Sequence, residues 1–388
     1  MTFWLSFVLW GLFALLLAEV VRDGYHVLCH RVPGLTKLHN WHHLAYRRDL
    51  SLVSVELYQK AQLYHDILES ALLVVVLTVV AVVSGVPGLW LGVVYALGFL
   101  LGGARLYLFK TVETDFNHLP GPLTAPPAPW WVNRAYHWRH HFDNPNAYYS
   151  GVFTLVDRVL GTALSLKGKT VAITGASGAL GQALITELLA RRARVVAFTT
   201  SDNLELPGVK VIPWRLGEEE SLRAHLAPCD ILITNHGVNV HSDRTPAAIH
   251  RSYEVNTFST LRLIDLFLST IEGPMAPATK EIWVNTSEAE VSPALSPLYE
   301  LSKRSLGELI TLKRLASRCT LRKLILGPFK SALNPQGVMS AAQVARGFLF
   351  WAERDCRDIV VTINPLTYFL FPLKELSTGL YYRLFTRA

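Results

Sequence analysis

Three long apolar runs open the chain, and short β-branched runs fill the rest. Phe3 to Val21 is 19 residues long and broken only by Ser6 and Glu19, which is enough to cross a bilayer as a helix. Ala71 to Val86 and Leu89 to Phe109 follow, turning at Pro87-Gly88. Ala71 to Val86 is short for a full span, so a spanning hairpin and a re-entrant one both fit it. Arg105, near the end of the third run, can snorkel to the interface, and Gly98-x3-Gly102 predicts close helix packing. The texture changes at Lys167-Gly168-Lys169. Val171–Thr174, Val195–Thr199, Val209–Ile212, Ile231–Thr234, Glu281–Asn285 and Lys323–Leu326 are strand-like and alternate with helical stretches. The pattern predicts a helical integral membrane domain over 1–165 and a doubly wound α/β domain with a parallel sheet over 166–362. Residues 363–388 are aromatic and basic (Tyr368, Phe369, Phe371, Tyr381, Tyr382, Phe385, Lys374, Arg383, Arg387) and predict an amphipathic tail lying at a membrane interface.

Composition agrees with a membrane protein that carries a soluble half. The 388 residues are 51% hydrophobic and 17% charged, with net charge +7. The basic excess falls after residue 165 without any dense basic run, which points to anionic lipid and not to nucleic acid. The four cysteines are far apart, which excludes a disulfide framework, a thiolate zinc knuckle and an iron–sulfur centre. The N-terminus has no basic n-region or small-x-small cleavage site, so a cleaved signal peptide is not expected. Arg22, Arg31, Lys37, Arg47, Arg48 and Lys60 lie between the first two runs, while the N-terminus and the Pro87-Gly88 turn hold no Lys or Arg. The positive-inside rule then puts 22–69 and everything after Phe109 on the cytoplasmic side of a multi-pass protein. The proline-rich loop 119–133, with Trp130-Trp131, suits headgroup level.

Histidine carries the chemistry of the first half. Ten of the 14 histidines fall between His26 and His141. They read His26-x3-His30-x8-His39-x2-His42-His43, then His118, then His137-x2-His140-His141. Helical positions i, i+3 and i+4 share one face, so each cluster aims its imidazoles one way. Neutral imidazole suits iron, copper and zinc, and nine such ligands exceed the needs of one metal, so two metals fit. Zinc alone would leave ligands unused. A bis-histidine haem would need paired histidines within the apolar runs, which hold none.

This order of clusters around a hydrophobic hairpin resembles the integral-membrane fatty acid hydroxylase/sterol desaturase superfamily over about residues 10–165. His30-Arg31, Asn117-His118-x-Pro120, Tyr149-x-Gly151 and Asp157-Arg158 to Gly161-Thr162 add to the likeness. The resemblance implies a non-haem di-iron centre that activates O2. Its ligands would be His26, His30, His39, His42, His43, His118, His137, His140 and His141. Several members carry a histidine four residues before the one at 118, where this chain has Thr114. His65, in His65-x3-Glu69, is a candidate to complete the shell.

In the second half, Thr174-Gly175-Ala-Ser177-Gly178-Ala-Leu-Gly181 falls where a strand ends and a helix begins. Glycines there let backbone amides and the helix dipole meet a pyrophosphate. Tyr299 and Lys303 are one helical turn apart, and the lysine charge is expected to lower the phenol pKa so that Tyr299 can exchange a proton. Ser287, at the end of a predicted strand, can hold a carbonyl oxygen. Together with Asn256 and Asn235-His236-Gly237, these residues resemble the short-chain dehydrogenase/reductase family over about 167–345. That likeness implies a Rossmann fold, catalytic Asn256, Ser287, Tyr299 and Lys303, and nucleotide contacts from Thr174, Gly175, Ser177, Gly178, Gly181, Asn235 and Gly237. The chain departs from the commonest members in its TGxxGxxG glycines, its Asn-His-Gly and its Gly327-Pro328. Thr199 and Thr200 stand where an acidic residue would bind the ribose of NAD, which favours NADP(H) over NAD(H), although Asp202 just beyond would work the other way.

Irons need single electrons, whereas NADPH gives hydride, and no flavin or iron–sulfur site is visible to convert one into the other. The oxygenase half is therefore expected to draw on an external ferredoxin- or cytochrome-type donor. The favoured expectation is a membrane-bound lipid oxidoreductase. Its di-iron half would hydroxylate or desaturate a lipid C–H bond with O2, and its fused half would interconvert alcohol and carbonyl. Two other functions fit the same residues: an oxygenase with a non-catalytic nucleotide-binding module, and a membrane metal binder without catalysis.

Overall fold

The computed structural model describes residues 2–201 and 204–387, so Asp202 lies outside the described residues. The chain forms two compact units, residues 1–123 with 127–163, and 124–126 with 164–388.

The first unit is helical. Its elements are α1 (Thr2–Arg31), α2 (Pro33–Leu44), α3 (Val55–Ala61), a π turn (Gln62–Asp66), α4 (Ile67–Ser84), α5 (Trp90–Leu108), α6 (Arg134–Phe142) and α7 (Leu155–Leu160). Among the described residues, three helices are long and apolar enough to cross a membrane: Thr2–Arg31, Val55–Ser84 and Pro87–Leu108. The second apolar run is thus the end of a continuous 30-residue helix, which gives it full spanning length. The first span likewise runs on to Arg31, so His26 and His30 occupy its last turns. Ala14 and Ala18 of α1 pack against Leu73, Leu77 and Ala81 of α4 and against Val93 and Ala96 of α5. The close approach expected at Gly98 and Gly102 occurs elsewhere. A Cβ at either glycine would meet nothing within 4 Å, whereas one at Gly92 would lie 3.0 Å from the Ala14 Cβ.

The second unit is a seven-stranded sheet, parallel throughout, with strand order β3-β2-β1-β4-β5-β6-β7. The strands are β1 (Thr170–Thr174), β2 (Arg194–Thr199), β3 (Lys210–Pro213), β4 (Ile231–Thr234), β5 (Glu281–Asn285), β6 (Thr320–Leu326) and β7 (Asp358–Val361). The helices are α8 (Ala179–Ala190), α9 (Arg223–Leu226), α10 (Pro246–Tyr253), α11 (Ser259–Ser269), α12 (Ala276–Thr279), α13 (Pro297–Arg314), α14 (Ala341–Glu353) and α15 (Thr367–Phe385). Strands buried on both faces give continuous apolar runs, as β4 shows. One face of the sheet packs on Leu184 and Leu188 of α8 with Phe348 and Leu349 of α14, and the other packs on Ile264 and Phe267 of α11 with Leu306 and Ile310 of α13. This is the expected doubly wound layering, and its strand order reverses between β1 and β4, where ligands bind in such sheets.

The tail forms α15, pinned by a buried ionic cluster. Lys374 Nζ donates to Glu290 at 2.7 Å, Lys323 Nζ donates to Glu375 at 2.7 Å, and Thr367 Oγ1 donates to Glu288 at 2.5 Å. Phe371 is buried, while Phe369, Leu373, Leu376, Leu380 and Leu384 form an exposed apolar stripe on the opposite side.

A second buried ionic group ties β5 to β6. Arg322, fully buried, donates to Glu281 at 2.8 and 3.1 Å and to Asp355 at 2.6 Å. Arg322→Met removes the guanidinium that pairs with Glu281, while Asp355 keeps Arg357 at 3.0 Å, and should cost about 3–5 kcal/mol. Thermal unfolding of the detergent-solubilised chain reads this as a clearly lowered transition, and an unchanged transition contradicts it.

Candidate functional site

The nine histidines expected at a metal centre converge. His26 and His30 come from the end of α1, His39, His42 and His43 from α2, His118 from a short 3₁₀ turn, and His137, His140 and His141 from α6. Eight of them form two groups whose ligand nitrogens lie within 4.8 Å of one another: His26, His30, His39 and His140, and then His42, His118, His137 and His141. His43 sits between the groups, its ring 4.8 Å from His39 and 4.7 Å from His141.

In the first group one contact is lone pair to lone pair. His26 Nδ1 donates to the Tyr149 carbonyl at 2.6 Å and His140 Nδ1 donates to the Ala147 carbonyl at 2.8 Å. The protons of these two neutral rings are therefore on Nδ1, yet their Nε2 atoms face each other at 3.0 Å. In the second group His118 Nδ1 donates to Asp115 at 2.9 Å, while its Nε2 lies 2.9 Å from His137 Nε2. Acceptors at such distances repel unless a cation lies between them, and about 3 Å is the spacing of adjacent nitrogens bound at about 2.1 Å to one octahedral metal. Burial holds His39, His42, His137, His140 and His141 well below the ordinary imidazole pKa and pushes His43 down to about 3, which keeps the rings in the neutral, ligating form. The donor set fits a metal pair.

His65 does not join either group of four. Its Nδ1 lies 3.1 Å from His39 Nδ1, behind the ring, where it can orient that ligand. Three outer partners went unpredicted, namely the Tyr149 and Ala147 carbonyls and Asp115. The carbonyls come from a turn in which Tyr148 takes φ = 60°, unusual for a bulky residue. Asp157 braces that turn, accepting from Tyr149 N at 2.9 Å, Ser150 N at 2.8 Å and the Tyr136 hydroxyl at 2.9 Å. Only the position of Asp115, one turn before His118, was a readable signal.

The other predicted site gathers at the carboxyl ends of β1, β4 and β5. Thr174 ends β1, and Gly175 takes φ = +64°. Ser177 and Gly178 lie exposed at the start of α8, where its amides are free to meet an anion. A Cβ at Gly181 would lie 2.2 Å from the Gly175 carbonyl, so only glycine permits this turn. The Thr174 hydroxyl accepts from Asn235 N at 2.9 Å, and Asn235 accepts from Asn285 Nδ2 at 2.9 Å. His236 Nε2 and Thr234 Oγ1 are buried without a partner beside this edge, and they suit a polar ligand there.

Asn256 lies in a π turn (Glu254–Phe258) and clasps Val238, accepting from its N at 2.8 Å and donating to its carbonyl at 3.0 Å. Gly237 lies beside the Asn256 side chain. Ser287 caps a short 3₁₀ turn, its hydroxyl accepting from Ala289 N at 3.1 Å. Lys303, one turn along α13, donates to the Asn285 carbonyl at 2.9 Å with its Nζ 6.0 Å from the Tyr299 ring. The expected lowering of the phenol by the lysine is not what the free site shows. Burial raises Tyr299, opposed by the Ser287 hydrogen bond, and burial pushes Lys303 down to about 8.

Known proteins resemble this chain along its length. The fatty acid hydroxylase family model matches residues 11–162. The monoglucosyldiacylglycerol epimerase of Synechocystis sp. is 52% identical over an alignment of 415 residues that covers 99% of this chain and 98% of that protein. Human L-xylulose reductase is 28% identical over 193 residues, covering 46% of this chain and 75% of that enzyme. Among solved structures, a short-chain dehydrogenase of Burkholderia cenocepacia in complex with NADP is 19% identical, covering 58% of this chain and 100% of its own, with a TM-score of 0.47.

The two histidine groups can be separated experimentally. His26→Ala and His137→Ala each remove a ligand from a different group, so each should lower bound iron from about two per chain towards one, and the double variant should lower it further. Elemental analysis of the purified full chain measures this, and single variants that keep full iron contradict the paired site.

Proposed function

The chain belongs to the family of monoglucosyldiacylglycerol epimerase, and on that membership we propose that this oxidoreductase inverts one carbinol carbon in the sugar headgroup of a glycosyl diacylglycerol. Inverting a carbon that bears hydrogen and hydroxyl is redox-neutral when a ketone is formed and then reduced on its other face. The observation that carries this reading is the gathering of Ser287, Tyr299 and Lys303 at the edge of the sheet, with Lys303 fixed to the Asn285 carbonyl one helical turn from Tyr299. In this reading Tyr299 takes the proton of the sugar hydroxyl and returns it, and Ser287 holds the carbonyl oxygen in between. Lys303 keeps a cation near the phenol, and Asn256 holds the 238 segment in place. Gly175, Ser177, Gly178 and Gly181 would hold the pyrophosphate, with Thr174, Asn235 and Gly237 beside it, and the nicotinamide when bound supplies and accepts the hydride. Thr199 is buried with its hydroxyl accepting from Ser201 N at 3.0 Å, which leaves exposed Thr200 to meet the ribose, a setting that favours NADP(H).

The convergent imidazoles support a second activity. The nine histidines would hold two irons, which supply O2-dependent hydroxylation or desaturation of a lipid C–H bond, with electrons from a ferredoxin- or cytochrome-type donor. We place the histidine centre and the Rossmann domain, residues 166–362, on the cytoplasmic side of a multi-pass protein. In this arrangement 363–388 is a tail at the membrane interface.

With glucosyl diacylglycerol as substrate, Tyr299→Phe should reduce epimerisation about 10²–10⁴-fold. Deuterium at the inverted carbon should be retained in the product, and an unimpaired variant, or label lost to water, removes the reading. Thr200→Asp should shift cofactor preference from NADPH towards NADH in direct binding measurements, and an unchanged ratio shows that selectivity lies elsewhere.

A further inference from the structure

The histidine centre has two sides, and they differ in kind. Towards the spans it is closed by buried ionisable groups. Glu19 and Asp23 of α1 are almost fully buried, and Arg22 between them has Glu19, Asp23 and Glu69 as charged neighbours. The Tyr95 hydroxyl of α5 donates to Glu19 at 2.5 Å, and Asp23 accepts from Gly151 N at 2.9 Å. On the second span, Gln62 donates to Asp66 at 2.5 Å, and His65 is buried. All three spans thus contribute to a layer of polar and ionisable groups, which in α1 lies within two turns of His26. An alkyl chain reaching the centre from the bilayer would have to displace this layer, breaking its buried hydrogen bonds and the Arg22–Glu19 ion pair.

The other side is open. A cavity of about 340 Å³ reaches the rings of His30, His43 and His141, and so touches both groups of four and the ring between them. Its remaining walls are Thr36, Asn40, Pro145 and Asn146. None of these is a large aliphatic or aromatic side chain, whereas sites that hold apolar ligands are lined mainly by such groups. Two amides offer donors and acceptors, and the Thr36 hydroxyl, which donates to the Val32 carbonyl at 3.0 Å, adds an acceptor, a mixture that polyhydroxylated ligands can use.

We propose that this cavity is a carbohydrate subsite, in which Thr36, Asn40 and Asn146 hold the hydroxyls of a glycolipid headgroup against the histidine centre, with the acyl chains left outside. The proposal rests on the reading that the substrate is a glycosyl lipid and deepens it by giving the first unit the same headgroup as ligand. Asn40 and Asn146 are then specificity-determining residues. Both side chains are exposed, and neither belongs to a group of four, so changing them should leave metal content intact.

The test is a titration of the iron-loaded full chain in detergent, followed by the visible absorption of the centre. Methyl glucoside should perturb the spectrum saturably, and laurate should not. Asn40→Leu with Asn146→Leu should weaken the glucoside response at least about tenfold with iron content and thermal stability unchanged, about 1.4 kcal/mol of lost binding. A response to laurate without one to glucoside overturns the proposal, as does a glucoside response that the double variant leaves unaltered. If the chain converts glucosyl diacylglycerol but the titration is negative, only the subsite is lost. If no conversion occurs, the epimerase reading is lost whatever the titration gives.

Discussion

Imidazole nitrogens turned towards each other with no proton between them set the plan of the membrane half. The Nδ1 atoms of His26, His140 and His118 donate outwards, so their Nε2 lone pairs can only point inwards. Such an arrangement has a high energy without a cation and a low one around a metal pair. The surrounding elements serve that demand. The strained turn at Tyr148 exists to present two carbonyls, and Asp157 exists to hold the turn. The short α2 lies so that His39 and His42, three residues apart, each enter a different group.

In the second half, on the proposed reading, the fold presents a proton donor and a nucleotide edge at one rim of a sheet. Here the backbone does most of the work. Gly175 and Gly181 let the first turn close on itself, and Asn235, Asn285 and Thr174 knit the ends of three strands together. Ser287 begins a segment whose next acidic residues, Glu288 and Glu290, grip the tail through Thr367 and Lys374. The active edge and the amphipathic α15 are therefore parts of one packed structure.

Much of this was legible in the residues. Histidine spacing aimed each cluster one way, because i, i+3 and i+4 on a helix leave little freedom in direction, and the family resemblance added the solitary His118 to the set. Strand positions followed from β-branched runs, and Tyr299 and Lys303 from a single turn of α13. What stayed hidden has physical causes. The two π turns, which carry His65 and Asn256, arise from packing and have no local sequence signature. The length of the second span was masked because its first half, Val55–Glu69, is polar on the face that turns inwards. Close helix approach was expected at Gly98 and Gly102 but is found at Gly92, since a glycine spacing does not say which helix face meets a partner. Strand β7 is only four residues long and half-buried, too weak a pattern to read.

The central claim is that imidazoles from α1, α2, α6 and the 118 turn hold a metal pair. X-ray absorption at the iron edge of the loaded full chain tests it most directly. The account predicts a first shell dominated by imidazole nitrogen at about 2.1 Å, with outer-shell scattering from the rings and a second metal nearby. A sulfur-rich shell, or a lone metal surrounded mainly by water oxygens, would contradict it.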